Sequence, residues 1–226
     1  MEARPLVIFD MDGVLVDVRP SYHRTIVETV RHFTGRRVSA AEIGRFKARA
    51  GFNDDWKLTR AWIRELGKRP NPREVVEHFQ KLYRGDHFQG YIRRERWLAD
   101  RRWLRRLAAA ADLAIFTGRL REEAVFTLEH FGVRERFSRL VALEDVRRPK
   151  PSPEGLLQLV DGKPRSSVLY VGDSADDALA ARRARVTFLA VLHDGASRRN
   201  LRIREMRRLG ARGVVESVKE IERWLP

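Results

Sequence analysis

The stretch Leu6-Val7-Ile8-Phe9-Asp10-Met11-Asp12-Gly13 decides the fold. Its first four residues are an unbroken apolar run, which suits a strand buried on both faces of a parallel sheet. Two carboxylates follow, two positions apart. In an extended backbone that spacing points both side chains the same way, and Gly13 lets the chain turn sharply straight after them. An acid pair at the mouth of a sheet can hold a divalent cation, attack an electrophilic centre and pass a proton. Taken alone, the same residues also read as a strand ending in an Asp-Gly turn. What separates the two readings lies downstream.

Working outward, the spacing predicts helices and no strand from about Asp17 to Gly90: one from Ser21 to near Gly35, one starting at the capping box Ser39-Ala40-Ala41-Glu42, then Leu58–Leu66 and Arg73–Tyr83. Beyond that block, apolar strands alternate with helices. Strands are predicted at Leu113–Phe116, Leu140–Leu143, Val168–Val171 and Val186–Val191, with Val214-Val215 at an edge. Helices are predicted at Glu95–Ala110, Glu122–Phe131, Glu154–Leu159, Asp176–Ala184 and Asn200–Leu209, with a closing helix around Glu220–Leu225. Alternation of this kind indicates an α/β fold with a doubly wound parallel sheet. The expected division is a Rossmann-like core from residues 1–16 and 91–226, with an inserted all-helical cap at 17–90.

Composition narrows the chemistry. The 226 residues contain no cysteine, which removes disulfides, thiolate catalysis and zinc-thiolate sites together. A bound metal would therefore be held by oxygen or imidazole. No apolar stretch approaches the roughly 20 residues that span a bilayer, and the first residues lack a signal-peptide pattern, so a cytoplasmic protein is expected. The net charge of +15 invites a nucleic-acid partner. The basic residues nevertheless recur through most predicted helices, and they are 39 arginines against seven lysines. That distribution argues against a dedicated nucleic-acid module. Scarcity of Asn and Gln beside abundant charge fits a protein that works hot, while a GC-rich genome would enrich arginine by itself.

In doubly wound sheets the reacting groups sit just past the carboxyl ends of the strands. Here those ends, and the loop after a fourth strand, carry Asp10 and Asp12, Thr117-Gly118, Lys150, and Asp173. Read together they make a site for a phosphate ester. Asp10 would be the carboxylate nucleophile, forming an aspartyl-phosphate. Asp12 would protonate the departing alkoxide and then take a proton from the attacking water. Thr117 and the Gly118 amide would hold non-bridging oxygens, and Lys150 would offset the charge on Asp10 and the phosphoryl group. Asp10, Asp173 and the Asp12 carbonyl would bind Mg2+.

Asp10-Met11-Asp12-Gly13-Val14, Thr117-Gly118, Lys150-Pro151-Ser152-Pro153 and Gly172-Asp173-Ser174-Ala175-Asp176-Asp177, in that order and spacing, resemble the four motifs of the haloacid dehalogenase superfamily. The intervening helices resemble that superfamily's helical cap of the first type. The resemblance covers essentially the whole chain and implies a Rossmann-like core with a mobile cap. It carries the roles above onto the same residues and makes Asp177 a support for the metal or the lysine. It further implies a Mg2+-dependent phosphatase acting on a small phosphorylated metabolite, with phosphoglycolate or histidinol phosphate as candidates, and a monomer or homodimer. The acid at Asp12 resembles phosphatases and phosphomutases rather than dehalogenases. Lys47 to Trp56 falls where related caps place a specificity loop, with Phe52, Asn53, Asp54 and Trp56 as its candidates. A phosphomutase is the alternative, although resembling sugar-phosphate mutases offer an arginine where Asp54 stands here.

Overall fold

The computed structural model describes residues 4–47, 54–193 and 196–225. It divides into two compact units, one formed by Met1–Val16 with Trp97–Pro226 and the other by Asp17–Arg96.

The first unit is built on a sheet of six parallel strands: β1 (Leu6–Phe9), β2 (Asp112–Phe116), β3 (Arg139–Val141), β4 (Val168–Gly172), β5 (Thr187–Val191) and β6 (Gly213–Val215). Their spatial order is β3-β2-β1-β4-β5-β6. Strand β1 therefore sits where the winding reverses, with Phe9 beside Ile115 on one side and Val171 on the other. Every residue of β1 and of β4 is buried, as continuous apolar runs require when helices cover both faces. Leu6, Ile8, Phe116, Leu156, Tyr170 and Phe188 belong to one core cluster that binds strands to helices.

Several element ends differ from the spacing-based expectation, each for a local reason. The expected helix at Glu95–Ala110 begins only at Arg101, because Asp100 accepts the amides of Arg102 and Trp103 at 2.7 and 3.0 Å and so caps it there. Arg96–Trp97 is a two-residue strand instead. The strand expected at Leu140–Leu143 ends at Val141, since the Asp145 carboxylate accepts the Ala142 amide and draws Leu143–Asp145 into a 3-10 turn. The closing segment Val218–Trp224 is likewise 3-10.

The second unit has its own core. Helix Arg24–Thr34 buries Ile26 and Val30, Asp55–Glu65 buries Leu58 and Trp62, and Pro72–Tyr83 buries Val75, Phe79 and Tyr83. Each set recurs at four-residue spacing, so each helix presents one apolar stripe. The capping box at Ser39 is formed, with Glu42 accepting the Ser39 amide at 2.9 Å. Asn71 caps the last helix with Pro72 in its first turn. This unit runs to Arg96 rather than to residue 90: Ile92 is buried, and the buried Glu95 carboxylate accepts hydrogen bonds from Ser21 and Tyr83, both at 3.0 Å. Among the described residues no helix is long and apolar enough to cross a membrane.

The cap at Asp100 makes a prediction. Its two backbone hydrogen bonds hold its carboxyl below the usual range. A carboxyl depressed in the folded state stabilises the fold above its unfolded pKa, about 4, and loses that contribution as pH falls through the lower folded value. Asp100→Ala should therefore lower the melting temperature at pH 7, and the gap to the wild type should narrow below about pH 4. Thermal unfolding at both pH values measures it.

Candidate active site

Asp10 is the position at which β1 runs out. Its amide still donates to Val171 O at 2.8 Å, while its side chain stands past the sheet and is almost wholly buried. The chain then turns on Met11, whose carbonyl accepts the amides of Leu15 and Val16, both at 2.9 Å. Gly13 stands in this turn at φ +74°, and a Cβ there would lie 2.2 Å from Asp173 Oδ2. Only glycine fits on both counts. The space where a side chain would be is taken by the Asp173 carboxylate, which brings the end of β4 against the turn after β1.

Lys150 arrives from the loop after β3. Its ammonium donates to Asp10 Oδ1 and lies equally close to Asp177 Oδ1, 2.8 Å in each case, and only 4% of its side chain is exposed. The ammonium also stands over the rings of Phe116 and Tyr170, at 4.7 and 5.6 Å. Asp177 is saturated. Oδ1 accepts the Tyr170 hydroxyl at 2.5 Å, and Oδ2 accepts the Ser174 hydroxyl at 2.6 Å together with the Ser174 and Asp173 amides. Ser174 in turn accepts the Asp177 amide, closing a capping box on helix Ala175–Ala184.

Burial pushes the Asp10 carboxyl well above the usual range; Lys150 opposes this, while Asp177, Asp12 and Asp173 add to it. Burial also works against charge on Asp177 and Lys150, but there the partners win. Lys150, Ser174 and Tyr170 hold Asp177 below the usual carboxyl range, and Asp10 and Asp177 hold Lys150 above the usual amine range.

The donor set suits a hard cation. Asp10, Asp173 and Asp177 each place a carboxylate oxygen within 4.8 Å of the others. The two oxygens of Asp177 are already engaged, so it serves as a support that fixes Lys150 and the Asp173 amide. Asp10 Oδ2 accepts no hydrogen bond among the described residues. A divalent cation on Asp10 and Asp173 would relieve the repulsion that adds to the effect of burial on Asp10, and all-oxygen donors fit magnesium.

Thr117, at the end of β2, donates its amide to Val141 O at 3.0 Å, and its hydroxyl oxygen accepts the Arg119 amide at 3.2 Å. The hydroxyl hydrogen is thereby directed elsewhere. Gly118 is exposed, and its amide has no partner among the described residues. The Asp12 carboxylate faces a residue that sequence reasoning gave no role: Arg119 donates to it from Nε at 2.7 Å and from Nη2 at 2.5 Å. In a chain with 39 arginines, one more after Thr-Gly carries no signal, because a solvated arginine is the ordinary case. Tyr170 escaped for a similar reason, since an aromatic in a buried strand reads as core.

The structure thus brings Asp10, Asp12, Thr117, Lys150, Asp173 and Asp177 to one end of one sheet. Of the specificity candidates, Phe52 and Asn53 lie outside the described residues. Asp54 and Trp56 do not stand in a loop together as the sequence suggested. Asp54 is the N-cap of Asp55–Glu65, its carboxylate accepting the Lys57 amide at 3.0 Å, and Trp56 is half-buried within that helix.

A family described as haloacid dehalogenase-like hydrolase matches residues 5–185. An imidazoleglycerol-phosphate dehydratase of Phytophthora nicotianae is 32% identical across 82% of the chain, which spans only 43% of that relative's length. A pyrophosphatase, PpaX, of Halalkalibacterium halodurans is 25% identical over 80% of each chain. A crystal structure described as a predicted phosphoglycolate phosphatase from Haemophilus somnus superposes with a TM-score of 0.77 at 18% identity, covering 98% of this chain and 97% of that one.

The buried bridge at Lys150 should be sensitive to loss of either side. Lys150→Met would leave Asp10 and Asp177 buried without a counter-charge and should cost about 3–5 kcal/mol, seen as a lower urea midpoint. Adding Asp177→Asn should recover part of that loss.

Proposed function

Because the chain belongs to the haloacid dehalogenase-like hydrolases and is a phosphoric monoester hydrolase, we propose that it works through an aspartyl-phosphate on Asp10 with Mg2+ as its cofactor. One observation carries this reading: Lys150 ties down Asp10 Oδ1 at 2.8 Å and leaves Oδ2 without a partner among the described residues. A carboxylate held by one oxygen presents the other in a single direction, which is what in-line attack on phosphorus requires.

The steps follow from the neighbours. Asp10 Oδ2 forms a bond to phosphorus as the ester oxygen leaves. Thr117, with its hydroxyl hydrogen turned away from Arg119, and the unpartnered Gly118 amide donate to the non-bridging oxygens. Lys150 offsets the negative charge that the phosphoryl group brings to a buried carboxylate. Asp12 protonates the departing alkoxide and then takes a proton from the water that attacks the aspartyl-phosphate. Asp10, Asp173 and the Asp12 carbonyl would hold the magnesium ion. When bound, it neutralises charge shared between the carboxylate and the phosphate.

For substrate we propose a small phosphorylated metabolite, with phosphoglycolate and histidinol phosphate as the leading candidates. The phosphoglycolate phosphatase names among the similar proteins support testing the first, and the imidazoleglycerol-phosphate dehydratase name adds imidazoleglycerol phosphate to the test. PpaX adds pyrophosphate to the test.

The purified protein should hydrolyse 4-nitrophenyl phosphate only with Mg2+. Excess chelator should stop it and added Mg2+ should restore it. Asp10→Asn should lose at least about 1000-fold in kcat, and wild-type-like turnover by that variant would rule out the nucleophile. Phosphate release across phosphoglycolate, histidinol phosphate, imidazoleglycerol phosphate, pyrophosphate and sugar phosphates identifies the substrate.

A further inference from the structure

Two aspartate–arginine pairs in this chain share their residue types and differ in geometry. Arg19 grips Asp17 in the ordinary fork, Nε to Oδ1 and Nη2 to Oδ2, both at 2.7 Å, so each carboxylate oxygen is used. Arg119 instead places both donors on one oxygen of Asp12. Nε and Nη2 reach Oδ1 at 2.7 and 2.5 Å, and Oδ2 accepts nothing among the described residues. The Asp12 side chain is 29% exposed, whereas that of Arg119 is fully buried.

The guanidinium is also held from behind. Nη1 donates to Thr127 Oγ1 at 2.7 Å, on helix Arg121–His130. The main chain of Arg119 is pinned at both ends, its amide to Thr117 Oγ1 at 3.2 Å and its carbonyl to the Leu143 amide at 2.9 Å. An arginine anchored at this many points cannot follow a moving carboxylate. The carboxylate must conform to it.

We propose that Arg119 is a positioning residue that commits Asp12 Oδ1 to the protein and Oδ2 to proton transfer. The inference rests on the hydrolase reading above and adds a division of labour within Asp12. In the first half-reaction the Asp10 Oδ2–phosphorus bond forms, the ester P–O bond breaks, and the proton on Asp12 Oδ2 passes to the leaving oxygen. Asp12 is left as a carboxylate, and Arg119, already on Oδ1, offsets the new charge. In the second half-reaction a water oxygen bonds to phosphorus, its proton goes to Asp12 Oδ2, and the Asp10–phosphorus bond breaks. A fork of the Arg19 kind would obstruct both transfers by occupying the second oxygen.

The consequence is selective. An alkoxide needs the proton in order to leave, and a nitrophenolate does not. The quantity to measure is kcat/KM, which reports the step that expels the leaving group, for an alkyl phosphate and for 4-nitrophenyl phosphate. Arg119→Met should lower it on the order of 100-fold for the alkyl ester and at most a few-fold for the aryl ester. Arg119→Lys, which keeps the charge and loses the double contact, should fall between. Thr127→Val leaves the charge in place, removes one anchor, and should shift the same ratio by a smaller factor. If Arg119→Met does not fold, the Lys and Thr127 variants decide. Equal losses on both esters, or none, would overturn the positioning role. A wild type inactive on every phosphate ester would instead remove the hydrolase reading, and the role of Arg119 with it.

Discussion

Lys150 lies 2.8 Å from both Asp10 and Asp177 with almost no exposure to water, and the arrangement at the strand ends depends on that bridge. Two carboxylates and an ammonium taken out of water lose several kcal/mol of hydration per ion. The loss is tolerable only where the remaining lone pairs and protons find partners. Asp177 meets this condition through Tyr170, Ser174 and two amides. Asp10 meets it on one oxygen only: Oδ1 accepts from Lys150, and Oδ2 accepts no hydrogen bond among the described residues.

The bridge also explains why small residues stand where they do. Gly172 closes β4 where a Cβ would come within 2.6 Å of Asp177, and Gly13 leaves room for the Asp173 carboxylate. Either side chain would push an acid out of place. The parallel order β3-β2-β1-β4-β5-β6 supplies the remaining condition. With β1 at the reversal of winding, the loops from its two neighbours diverge to opposite faces and leave a crevice over its end. Residues more than a hundred positions apart in sequence then share a few ångströms of space.

Much of this was legible beforehand, and the parts that were not have identifiable causes. Leu6–Phe9, Leu113–Phe116 and Val168–Val171 announced themselves because strands buried on both faces must be apolar throughout. The capping box at Ser39 was visible because both partners are local in sequence. The Glu95–Ala110 segment misled, since Trp97 and Leu98 continue the helical spacing of Leu104 and Leu107. Spacing says nothing of Asp100, whose carboxylate takes the amides that start the helix later. The loop reading of Trp56 misled in the same way, because Asp54 accepts the Lys57 amide and starts the next helix at Asp55.

The sequence by itself determined which chemical groups stand at the strand ends, because a strand's apolar run and the polar residue that ends it are neighbours along the chain. It therefore marked Asp10, Asp12, Thr117 and Asp173, while Lys150 was read from the loop after a fourth strand. Tertiary structure alone decided which oxygen of each acid is engaged: Oδ1 of Asp10 by Lys150, Oδ1 of Asp12 by Arg119, and both oxygens of Asp177 by its neighbours. The reason is physical. A carboxylate's two oxygens are equivalent in any sequence, and they become different only when donors from distant segments are packed against one of them.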